Sequence, residues 1–109
     1  MPVEHTTDAE AAARIHAHRA GDVLVYVWSD TCGPCKVVAP AVEALPDAYP
    51  NMLVLKAHVD QAPRLVADYG VRSLPTMLLF REGELEGMRV GTAAQSPWRD
   101  LIEFIDSHS

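Results

Sequence analysis

The sequence predicts an α/β fold, a mixed central sheet of four to five strands with helices on both faces. Three observations carry that prediction. Val23–Ser29 (VLVYVWS) and Met52–Val59 (MLVLKAHV) are almost continuously apolar, as strands covered on both sides are. A helical stretch separates them, which implies a right-handed crossover and a parallel pair. Thr76–Phe80, the turn Arg81–Glu84 and Leu85–Val90 then read as an antiparallel hairpin. The 109 residues fit one domain, so 1–109 is expected to fold as a unit.

Each element has its own signal. Val3–His5 gives a weak one for a small edge strand. Thr7 with Glu10 three residues later reads as a capping box, alanines continue the first helix to Ala20, and Gly21 supplies a stop. The second helix begins after Cys32, with Pro34 in its first turn, where a missing N–H costs nothing. Val37, Val38, Ala41, Val42 and Leu45 follow at helical spacing. Pro40 predicts a kink, and Pro46 and Pro50 bracket the end. Asp60 and Pro63 open a short third helix that Gly70 closes. In the hairpin Gly87 is a candidate bulge, and Glu82, Glu84 and Glu86 defend an exposed edge with charge. Ser96 and Pro97 start the last helix, whose Trp98, Leu101, Ile102 and Ile105 recur at i, i+3, i+4, i+7 and predict one buried face.

Composition narrows the function. Nine Lys and Arg against fifteen Asp and Glu give a formal charge of −6, the wrong sign for a nucleic-acid binder. A hydrophobic content of 49% is enough for a core. The longest apolar run, Val23–Trp28, falls far short of the roughly 20 residues of a membrane span. The start, MPVEHTTDAE, shows neither the basic nor the apolar region of a secretory signal. A soluble, cytoplasmic protein is expected, with no membrane or nucleic-acid partner.

Two cysteines, Cys32 and Cys35, remain to be explained. They flank Gly33 and Pro34 where a strand passes into a helix. In a helical first turn, two intervening residues bring the sulfurs within disulfide reach. The first sulfur then faces unpaired N–H groups and the positive end of the helix dipole, which favour the reactive thiolate. The second is better sheltered. One exposed nucleophile and one resolving thiol is the arrangement that thiol–disulfide exchange needs. A structural staple is the first competing reading, but so short a loop contributes only about 2 kcal/mol, against roughly 4.7 for a 100-residue loop. A zinc site needs more ligands than His16, His18 and His58 offer at their spacing. An iron–sulfur cluster shared between chains, or a pair of inert core cysteines, would also account for a bare count of two.

Val25–Lys36 (VYVWSDTCGPCK) and Val71–Phe80 (VRSLPTMLLF) resemble the thioredoxin family, and the resemblance extends over nearly the whole chain. It includes Asp60–Pro63, the Gly83 turn and Val90–Gly91. It implies the thioredoxin fold and a protein disulfide reductase. Cys32 would be the attacking thiol and Cys35 the resolving one. Pro75 would be cis beside the disulfide, with the Leu74 backbone pairing to an extended substrate ahead of Thr76. Gly33 and Pro34 would set the loop conformation. Trp28 would pack beneath the loop, where plain core packing is the simpler reading. Gly91 would keep a substrate groove open or merely end a strand. Lys36 and Arg72 would raise thiolate character or steer acidic partners, though ordinary solvated charge explains them as well; Asp30 is expected to be a surface residue. The resemblance also implies disulfide-containing protein substrates and, as electron donor, an NADPH-dependent flavoprotein, thioredoxin reductase. The chain has no glycine-rich dinucleotide loop, so no cofactor and no metal of its own are expected, and a monomer is expected.

Two departures from the family pattern matter. Thr31 stands where many relatives have tryptophan, which removes a flat aromatic surface beside Cys32 and offers a hydroxyl for capping. Tyr26 stands where the family usually has a buried aspartate, and a neutral phenol is no equivalent base. Lys56, which matches that aspartate's lysine partner, is expected to reach solvent or to pair elsewhere. These departures leave room for two further readings: an oxidoreductase dedicated to one partner, and an interaction module in which the cysteines matter little.

Overall fold

The two central strands, β2 (Val23–Trp28) and β3 (Leu53–His58), run parallel, joined by the crossover helix α2 (Gly33–Ala48). In this computed structural model, which describes residues 2–91 and 95–108, β1 (Glu4–Thr6) pairs parallel to the outer side of β3. β4 (Thr76–Arg81) pairs antiparallel to β2, and β5 (Glu84–Val90) closes the sheet, whose order is β1-β3-β2-β4-β5. The expected mixed sheet is therefore present with five strands.

Alternation along the strands decides which helix covers which face. Leu24, Tyr26, Val54, Met77 and Leu79 face α2 and α4 (Pro97–Asp106) and pack with Cys35, Val38, Val42, Leu45, Leu101 and Phe104. Val23, Val25, Leu55, Leu78 and Phe80 face the other way, onto Ala11 and Ile15 of α1 (Asp8–Ala17) and Leu65 of α3 (Pro63–Asp68). The uninterrupted apolar runs of β2 and β3 are thus two alternating sets, each with its own core.

At the element ends the structure corrects several expectations. Thr7 is the N-cap residue of α1, yet its side chain makes no capping bond. Asp8 turns its carboxylate to α3 instead, accepting from the N–H groups of Arg64 at 2.8 Å and Leu65 at 3.0 Å. That helix begins with an alanine at its cap position and has no side-chain cap of its own. α1 ends at Ala17 rather than Ala20, because His18 leaves the helix and its Nε2 lies 2.7 Å from the Asn51 carbonyl. Gly21 serves a close approach there: a Cβ would collide with that same carbonyl. α2, by contrast, ends at Ala48, between Pro46 and Pro50 as expected, and its C-cap residue Tyr49 donates its N–H to the Leu45 carbonyl at 2.8 Å.

The hairpin turns through Glu82 and Gly83, both at positive φ (52° and 85°), which suits a two-residue turn between twisted strands. Leu79 pairs with Gly87 but Phe80 pairs with Leu85, so the bulge falls at Glu86–Gly87. In α4 the buried face is Leu101, Phe104 and Ile105, with Ile102 partly buried. Trp98, expected on that face, is 40% exposed. It sits on the first turn, ahead of the residues that reach the sheet.

Candidate active site

The site is assembled where β2 ends and α2 begins. Cys32 is the N-cap residue of α2, with extended backbone angles (φ −87°, ψ 105°). Its sulfur accepts from the Cys35 N–H at 3.1 Å. An orphan amide of the first turn therefore points at the sulfur, a placement that also favours a thiolate. The hydroxyl of Thr31 suggests a helix cap, but the cap is Cys32; the Thr31 hydroxyl lies 3.4 Å from that of Ser29. Cys32 and Cys35 form a disulfide, with Cα atoms 5.2 Å apart. Cys32 is partly exposed whereas Cys35 is 2% exposed, so the two sulfurs differ sharply in access. Gly33, Pro34 and Lys36 are exposed around them. Among the described residues no three His, Cys, Asp or Glu side chains gather as a metal site would require.

The loop before β4 supplies the other side of the site. The Leu74–Pro75 peptide is cis. Pro75 is buried and Leu74 half-buried, touching both cores. The Thr76 hydroxyl donates to the Ser73 carbonyl at 2.6 Å. Gly91, at φ 78°, donates its N–H to the Pro75 carbonyl at 2.7 Å. That bond ties the end of β5 to the proline and uses a backbone conformation suited to glycine. Arg72 is exposed.

Beneath the disulfide, Tyr26 is fully buried and donates its hydroxyl to the Cys35 carbonyl at 2.9 Å. Burial, reinforced by the Glu43 carboxylate, pushes its pKa up to about 12. The phenol stays neutral and holds the first turn of α2. Lys56, opposite Tyr26 in the strand register, finds a new anion: Nζ lies 3.6 Å from a Glu43 oxygen and 5.0 Å over the Trp28 ring. Trp28 also meets His58 edge-on at 4.8 Å, and its buried indole N–H makes no hydrogen bond among the described residues. A cavity of about 140 Å³ lies between Tyr26, Trp28, Asp30, Cys35, Lys36 and Lys56.

Sequence reasoning missed one contact here. His58 Nδ1 accepts the Asp60 N–H at 3.2 Å, so the ring proton is on Nε2, which donates to Asp30 at 2.9 Å. Asp30, exposed as expected, thus also pins the loop before Cys32 to the end of β3. The two residues are 28 apart in sequence. Only the Trp28–His58 strand register, which places the two chain ends side by side, would have revealed the pair.

The buried phenol predicts an alkaline transition. A tyrosine whose folded pKa lies above its unfolded value of about 10 contributes stability that is complete below pH 10 and lost as pH rises toward 12. Tyr49, pushed to about 12 by burial and by the Asp106 carboxylate it bonds, acts in the same direction. Tyr26→Phe should cost about 1 kcal/mol at neutral pH, the worth of one hydrogen bond. It should also reduce the loss of stability between pH 10 and 12 by up to about 1.4 kcal/mol per pH unit. Urea titrations across that range check it; an unchanged slope would refute the assignment.

Comparison with known proteins gives one consistent result. A family model described as Thioredoxin matches residues 2–107. A thioredoxin of Acidithiobacillus ferridurans is 41% identical over 86 residues, covering 78% of this chain and 77% of its own length. One from Allochromatium vinosum is 40% identical over 87 residues, covering 79% and 78%. One from Staphylococcus epidermidis is 36% identical over 109 residues, covering 99% of each.

Proposed function

Because this chain belongs to the thioredoxin family, we propose that it is a thiol–disulfide oxidoreductase that reduces protein disulfides by cycling Cys32 and Cys35. One observation carries the reading: a partly exposed sulfur at the N-cap of α2, receiving a backbone N–H, with its partner 2% exposed. In the reduced protein the Cys32 thiolate attacks one sulfur of a substrate disulfide. The S–S bond breaks and a substrate thiolate leaves, taking a proton from solvent. The Cys35 thiolate then attacks Cys32 Sγ, forms the internal disulfide and releases the second substrate thiolate. Two electrons pass from the dithiol to the substrate, so an external reductant must restore the pair. The family points to thioredoxin reductase for that role.

The remaining residues take supporting roles in this proposal. The Leu74 backbone, Pro75 and Gly91 form the wall along which the substrate chain lies, and Thr76, fully buried, braces that wall through its bond to the Ser73 carbonyl instead of touching substrate. Gly33 and Pro34 leave the approach to Cys32 open, Lys36 and Lys56 supply positive charge near the sulfurs, and Trp28 and Tyr26 support the loop. Residues 1–109 act as one monomeric domain in the cytoplasm. No helix among the described residues is long and apolar enough to cross a membrane.

Insulin-disulfide reduction, coupled to NADPH oxidation by thioredoxin reductase, tests the reading. Turnover is expected only with both proteins present. If dithiothreitol-reduced protein fails to cleave insulin disulfides, the proposal falls; if only the coupled assay fails, the electron donor is wrong.

A further inference from the structure

Helix α2 has three faces. Cys35, Val38, Val42 and Leu45 point into the core. Lys36 and Glu43 mark a charged side. The third side is apolar and exposed: Gly33, Val37, Pro40 and Ala44 recur at steps of four, three and four residues and so share one stripe. Val37 is 45% exposed. Trp98 reaches the same stripe from α4, and with Val37, Pro40 and Ala44 it walls a groove of about 480 Å³. Neither Val37 nor Trp98 belongs to either core cluster. Core packing therefore does not account for an exposed indole and valine at this place.

The groove opens at Val37, five residues along α2 from the reacting sulfur. The stripe starts at Gly33, directly after Cys32. At 1.5 Å per residue, Val37 lies about 6 Å and Ala44 about 17 Å along the helix from Gly33. A substrate chain tethered to Cys32 extends by about 3.3 Å per residue, so a side chain three to five positions from the attacked cysteine can reach the groove. Meanwhile Thr31 offers no broad apolar surface beside Cys32. The chain's exposed aromatic surface stands on this side of the sulfur instead.

We propose that the groove between Val37, Pro40 and Trp98 is a specificity subsite, which takes an apolar side chain from the substrate segment flanking the disulfide that Cys32 attacks. This rests on the reductase reading above. The chemistry of the walls selects the occupant: aliphatic carbons and an indole face, with the charges of Lys36 and Glu43 on another side of the helix. Tryptophan is the residue type that most often dominates such contacts.

Two disulfide-linked peptides test the proposal. Each carries one cysteine in mixed disulfide with glutathione, and they differ only in leucine or aspartate four positions away. The reduced protein should favour the leucine peptide by about tenfold in kcat/KM, the scale of one apolar side chain in a pocket. Trp98→Ala and Val37→Asp should bring that ratio near one, whereas Trp98→Phe should keep most of it. Because the ratio is read within each variant, a general change in sulfur reactivity cancels. A wild-type ratio near one overturns the subsite, as does a ratio that survives Trp98→Ala. So does a groove that serves self-association, seen as a dimer that Trp98→Ala dissociates without changing the ratio. If the wild-type protein cleaves neither peptide nor oxidised glutathione, the reductase reading itself has failed.

Discussion

Replacing Cys32 with serine should abolish disulfide reduction, a loss of at least about a thousandfold in kcat/KM, as expected for removal of a nucleophile. Cys35→Ser should behave differently. Cys32 keeps its place at the N-cap of α2 and its partial exposure, so attack on a substrate disulfide proceeds. The second step lacks its nucleophile, and the mixed disulfide accumulates. Mass spectrometry should find one substrate chain bound per Cys35→Ser molecule and none on Cys32→Ser. The asymmetry follows from access: a sulfur that is 2% exposed meets an incoming protein poorly but reaches its neighbour in the same turn easily. A Cys32→Ser variant with more than a tenth of the native activity would overturn the assignment of the attacking thiol.

Tyr26→Asp should alter both stability and the resolving step. Tyr26 is 1% exposed and fills the space beneath the first turn of α2. Truncating a buried aromatic side chain costs about 3–5 kcal/mol, and Tm should fall accordingly. Burial would raise the pKa of the new carboxyl, giving it the proton affinity that a base for the Cys35 thiol needs. The native phenol cannot serve, since its pKa is pushed up to about 12 and its proton is committed to the Cys35 carbonyl. Release of the second substrate thiol in a single turnover should therefore quicken by about tenfold near neutral pH, below the range usual for an optimally placed base. The pH profile should flatten. Tyr26→Phe, which gains no base, should keep the native profile. Identical profiles for a folded Tyr26→Asp variant and the native protein would show that the residue at this position has no part in moving the proton.

Much of this site was legible in the sequence because its logic is local. Cys32, Gly33, Pro34 and Cys35 occupy a strand–helix junction, and the orphan amides of a helix start fix what surrounds the first sulfur. The hairpin was equally local: its turn, strands and bulge all lie between Thr76 and Val90. The misreadings were of another kind. Thr7 and Glu10 have the spacing of a capping box, yet the neighbouring Asp8 caps α3, 56 residues away. Trp98 fits the period of a buried helix face. Periodicity, however, places a residue on a side of the helix and says nothing of whether that turn overlies the sheet.

By itself, then, the sequence determined the α/β plan of a mixed sheet between helices, the reactive cysteine pair and the absence of a carboxylate at position 26, because each depends on residue type and on short-range backbone geometry. The tertiary structure alone decided what surrounds that pair: Asp30 held by His58, Lys56 turned to Glu43 and Trp28, Tyr26 bonded to the Cys35 carbonyl, and Trp98 left outside the core. Those contacts join residues brought together by strand register and helix packing, and a side chain takes whichever partner that packing puts within reach.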